Sequence, residues 1–198
     1  SFGARAPPQG RPEGLGAPYL DGGTKAAPAQ MGQPDAPILD SGARAAYDRA
    51  EPIPKIFGGS ISYFGEAAGA AATADLATLS YVYGAIAGFL HGARVIESEG
   101  MDVAEYGAVV EGIAPSFGSF FKHEGEVIRS GDFRITQSPM SISLEAVDRI
   151  AQHARDTRLD TSFTEFAAKL FARARVEGLA NEELAALVEV LREPGCTL

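Results

Sequence analysis

The sequence is poor in the residues most often used for redox, metal and nucleophilic chemistry. It has a single cysteine, Cys196, so no intramolecular disulfide can form and a cysteine-based zinc site is all but excluded, as expected in a reducing cytoplasm. His91, His123 and His153 are its three histidines, and no two stand at metal-ligand spacing, so no metal is expected. Basic residues are also short: 17 Lys and Arg face 26 Asp and Glu, for a net charge of −9 and a pI near 4.8. No basic stripe is present, which excludes the phosphate backbone of a nucleic acid as a partner. There is no uninterrupted apolar run of about 18 residues, and no charged head opens onto an apolar stretch at the start, so neither a membrane span nor a leader is expected. Ser116 and Ser119 lack a histidine base at a recognisable spacing, and nucleophilic catalysis has no support.

What is present is a chain of 198 residues, 45% hydrophobic, long enough to bury a core. Residues 1–16, rich in Gly, Pro and Arg, read as an arm without hydrophobic period. Three apolar runs bounded by turn residues, at 17–23, 36–42 and 58–66, read as short strands, with a helix at 43–51 ending before Pro52 and Pro54. From residue 67 the pattern is helical. Ala67 to Glu99 carries Leu76, Leu79, Tyr83, Ile86 and Leu90 at three- and four-residue steps and ends at Gly100. A helix follows from Asp102, interrupted at Pro115 and resuming to Arg129. Others are expected at 141–159, with a serine cap and Glu145, at 160–179, and at 181–194, capped by Asn181.

The long helix holds the candidate chemistry. Eight residues turn about 800°, which leaves Asp75 and Tyr83 about 80° apart around the axis and about 12 Å apart along it, with Leu79 between them on that face. A carboxylate and a phenol so placed can grip opposite ends of a small molecule and move protons on it. Against this stands the ordinary reading: a half-buried tyrosine and an aspartate that serves the helix dipole. Gly84, Gly88 and Gly92 form a stripe that costs about 1 kcal/mol per residue relative to alanine, for which close helix-on-helix packing is the expected reason. His91 on the same helix, with Phe117, Phe120, Phe121 and Met140, is a further candidate to bind substrate or wall a pocket, core packing being the default for each. His123 and His153 sit among polar neighbours and read as solvated.

The runs YLDGG and APAQMGQPDAPILDSGARAAYD (19–48), ADLATLSYVYGAIAGFLHGA (74–93), EGMDVAEYGAVV (99–110) and LANEELAALVEVLREP (179–194) resemble the later part of imine reductases and reductive aminases, relatives of the β-hydroxyacid and 6-phosphogluconate dehydrogenases. The resemblance implies a Rossmann domain, a long inter-domain helix and a helical domain that wraps around a second subunit. It implies that Asp75 occupies the position of the proton donor on that helix, and that Tyr83 matches a tyrosine two turns further on. The family's glycine-rich phosphate turn has no counterpart, because GLGAPY (14–19) has tyrosine in place of the third glycine and leads into a strand.

These readings give a mainly α fold, a helical bundle with one long central helix preceded by a small α/β remnant of a Rossmann sheet (1–66 and 67–198), assembled as an intertwined homodimer. The expected function is cofactor-independent acid/base work on an amine, imine or carbonyl compound, in the cytoplasm, with Asp75 and Tyr83 as the catalytic pair. NADPH would enter only with a separate nucleotide-binding partner. The alternatives are a fragment of an NADPH-dependent reductase or a scaffold dimer.

Overall fold

Ile38, Leu39, Asp40 and Ser41 are buried in succession, the mark of a strand covered on both faces. In the computed structural model of the chain, which describes residues 19–26, 28–67 and 69–192, they form the middle of strand β2 (Pro37–Gly42). β1 (Leu20–Thr24) pairs with it antiparallel, Gly22 opposite Asp40, and β3 (Ser60–Tyr63) pairs parallel on its other side. The parallel step needs a crossover, which α1 (Arg44–Ala50) and α2 (Pro54–Phe57) supply. Gly42 is required where β2 ends: its φ is +138°, and a Cβ there would stand 2.5 Å from the Tyr19 carbonyl oxygen. The strands are shorter than their apolar runs, and the expected arm at 1–16 and Cys196 lie outside the described residues.

α3 (Ala70–Ser98) begins where the Ser41 hydroxyl accepts the Ala71 amide at 3.0 Å, tying its first turn to β2. The chain's internal contacts divide it into two units, one up to Ala85 and one over Ile86–Thr197. In the second, α4 (Val103–Ser130) starts where read and is capped at both ends: the Asp102 carboxylate accepts the Ala104 amide at 2.7 Å, and Gly131 ends it in the left-handed conformation. α5 (Met140–Asp156) packs on α6 (Ser162–Val176) over a core of Met140, Leu144, Ala174, Ala186 and Val190. The fold is mainly helical with a small sheet, as the sequence implies.

Four expectations need correction. Pro115 does not interrupt α4, because residues 111–119 are all exposed and the carbonyl left without a donor is free to turn to water. α5 has no serine cap; it starts at Met140, whose amide donates to the Glu182 carbonyl at 2.9 Å. The last helix shortens to α7 (Leu187–Leu191), preceded by 3-10 turns at Leu179–Asn181 and Leu184–Ala186. There the Glu183 and Leu184 amides donate to Phe133 and Ser138 instead of continuing a helix. Finally, α3 is long and apolar enough, by length and composition alone, to cross a membrane.

Candidate functional site

Lys25 follows β1, where its amide donates to the Pro37 carbonyl at 3.0 Å. Its ammonium pairs with the carboxylate of Asp75, three turns before Ala85 on α3. The lysine side chain keeps 17% of its exposure and the aspartate 38%, so this ion pair is partly shielded, unlike the surface pairs Arg44–Asp48 of α1 and Arg94–Glu97 further along α3. Ammonium and carboxylate side by side offer a proton donor and an acceptor within one unit. The sequence reading missed Lys25; the available signal was a lone cation straight after a glycine-rich strand, in DGGTK. Leu79 is partly buried and Tyr83 is 66% exposed.

The other candidates all belong to the second unit and fall into different places. Phe117 and Phe120 line a recess of about 420 Å³ with Ser116, Gln137, Ser138 and Leu184. The ring of Phe121 packs on both, at centroid distances of 6.0 and 5.6 Å. His91 lies in another recess, of about 340 Å³, with Arg94, Arg158, Asp160 and Phe163, and its Nε2 is buried without a hydrogen-bond partner. Hydrogen bonds from Ser162 hold the Asp160 carboxyl below its ordinary range. Met140 is fully buried in the core, the packing role that is the default for a methionine. Of the glycine stripe, Gly92 meets the expected neighbour: the Tyr106 ring, stacked on Phe89, fills the space a side chain would take.

His123 is half-buried and hydrogen-bonded within the chain. Its Nε2 lies 2.8 Å from the Thr136 hydroxyl, which donates in turn to Glu183 at 2.9 Å. His123, Glu124 and Glu183 bring donor atoms within 4.8 Å of one another, the candidate metal-ligand cluster among the described residues. Glu183, however, already accepts from the amides of Thr136, Gln137 and Ser138 as well as that hydroxyl, which fills a carboxylate's capacity. Burial pushes its pKa up, but those donors outweigh burial and hold it at about 2. Glu124 is the opposite case: it is buried without a well-formed hydrogen bond, and burial with the neighbouring Glu183 charge raises it, outweighing the nearby Ala185 amide. The trio is thus a support for the 136–138 turn more than an open ion site.

The described strand-to-helix turn at 42–44 is not a glycine-rich phosphate cradle. It carries one glycine, already occupied by the Tyr19 carbonyl, and the seven-residue α1 has no side-chain cap at its start.

Residues 67–193 match the profile of the NADPH-dependent reductive aminase-like C-terminal domain. The chain belongs to the reductive aminase family. It is 30% identical over 185 residues to an NADPH-dependent reductive aminase of Aspergillus oryzae, covering 89% of this chain and 61% of that protein. A reductive aminase of Aspergillus terreus, solved in complex with NADPH4, cyclohexanone and allyl amine, superposes with a TM-score of 0.76 at 29% identity, over 89% of this chain and 61% of the other. An imine reductase from Pseudomonas sp., at 20% identity and a TM-score of 0.76 over 88% and 61%, shares the fold. The chain therefore spans about three fifths of the length of the reductive aminases it matches.

Proposed function

We propose that this chain does the proton-transfer work of imine chemistry on a small amine, imine or carbonyl compound. In this reading two copies cross along α3, Asp75 donates to or stabilises a substrate nitrogen, and Tyr83 holds the other end of the molecule. Leu79, between them on the helix, lies against the bound compound. The chain itself needs no cofactor for cyclisation, tautomerisation or addition, all of which move protons at a desolvated nitrogen. Reduction with NADPH requires a nucleotide-binding partner or segment.

One observation carries the reading: Asp75 keeps a shielded ionic partner on a helix whose apolar residues are uncovered, Leu76 being 67%, Tyr83 66% and Leu90 57% exposed. A second copy of the same helix would cover them, and family membership favours that over a membrane. The Aspergillus terreus complex suggests the probes, cyclohexanone and allyl amine. Imine formation between these two, followed by NMR without NADPH, should run above the buffer rate with the wild-type chain. Asp75→Ala should lower that excess about a hundredfold and Tyr83→Phe about tenfold. Unchanged rates in both variants remove the proposal. Titration with NADPH separates the alternative, since micromolar binding would revive the reading of the chain as part of a reductase.

A further inference from the structure

Asp40 is out of place as a core residue. It occupies the middle of the central strand at 1% exposure, in a run otherwise suited to apolar side chains. Its Oδ2 has no hydrogen-bond partner, and Asp21 adds a second unpartnered oxygen nearby. Burial and the Asp21 charge raise its pKa. An uncompensated buried carboxylate is among the costlier features a small unit can carry, and it persists where something else compensates it.

The sheet shows where that something would sit. Side chains alternate across a strand, so Leu20, Gly22 and Thr24 of β1 share a face with Ile38 and Asp40 of β2. Those five residues form one wall of a cavity of about 420 Å³, closed on the other side by Ala50, Ile53, Pro54 and Phe57 of the crossover. That volume is within the usual range for small-molecule sites, about 300 to 1,000 Å³. Gly22, opposite Asp40, makes the room: a Cβ at Gly22 would stand 2.6 Å from Asp40 Oδ1. Thr24, the other polar side chain in the lining, already donates its hydroxyl to the Pro37 carbonyl at 3.4 Å. No lining residue carries a positive charge. Ile53 and Phe57, 59% and 49% exposed, stand toward solvent, with Asp40 on the floor.

We infer that this cavity is a binding site for a small organic ammonium ion, its charge on Asp40 and its hydrocarbon body against Leu20, Ile38, Ile53 and Phe57. The chemistry follows from the walls. The one carboxylate in the lining calls for a cation, an apolar wall favours a hydrocarbon body over a hydrated metal ion, and the unpartnered oxygen accepts an N–H. The site is separate from the Lys25–Asp75 pair, neither member of which lines it.

Cyclohexylammonium chloride titrated into the isotope-labelled chain at neutral pH is the test. The expected result is saturable binding of one equivalent below about 10 mM, with shifts at Gly22, Ile38, Asp40 and Phe57. Asp40→Asn should weaken it at least tenfold, Gly22→Ala should block it, and cyclohexanol, of the same shape without the charge, should bind at least tenfold more weakly. Should Asp40→Asn fail to fold, Gly22→Ala and cyclohexanol decide. Equal binding of cyclohexanol, or shifts confined to Lys25 and Asp75, overturns the inference. So does an Asp40→Leu chain with a raised Tm beside a wild type that binds no amine, because Asp40 would then be a fault in the core.

Discussion

Two glutamates within reach of each other behave in opposite ways, and their difference is measurable. Glu183 is held at about 2, well below its ordinary value of 4.5. A depressed carboxyl stabilises the fold above its unfolded pKa and loses that contribution as pH falls from about 4.5 toward 2. Glu183→Gln should therefore cost about 2 kcal/mol in urea unfolding at pH 7, and the deficit should shrink at acid pH. Glu124 is raised, so its ionisation opposes folding as pH climbs above the ordinary carboxylate range. Glu124→Gln should gain about 1 kcal/mol at neutral pH, a Tm rise of several degrees that fades on acidification. Neither role could be read from the sequence, because each depends on a partner more than forty residues away or on burial. Asp75 was singled out as a candidate for a different reason: it lies in a stretch that resembles a known family. Its ionic partner Lys25 was not, since fifty residues separate the two and no pattern links them.

At the scale of elements, local pattern carried most of what was read. α3, α4, α5 and α6 follow their three- and four-residue periods, and Asp102 caps as its position before an apolar run requires. The reading failed where tertiary bonds captured the backbone, as when Glu183 joined the 133–138 segment and cut short the expected last helix. It failed again at Pro115, where a rule for buried helices was applied to an exposed one. The helix tolerates that proline but is not improved by it. Pro115→Ala should restore one backbone bond and raise stability by about 2 kcal/mol, seen as a higher Tm without a change in helical circular dichroism.

The whole molecule is harder to read than its parts. Family membership follows from residues 67–193, yet this chain spans about three fifths of the reductive aminases it matches, so the chemistry of those proteins transfers only as proposals. The proposed homodimer belongs to this scale. Of the described residues of α3, Ala71 alone is fully buried, so most of this 29-residue helix keeps a face to solvent. In the proposed homodimer a second copy covers this helix, so folding and association become one equilibrium. Tm should then climb with protein concentration, by a few degrees for each tenfold increase, and dilution alone should melt a fold that heat at high concentration leaves intact.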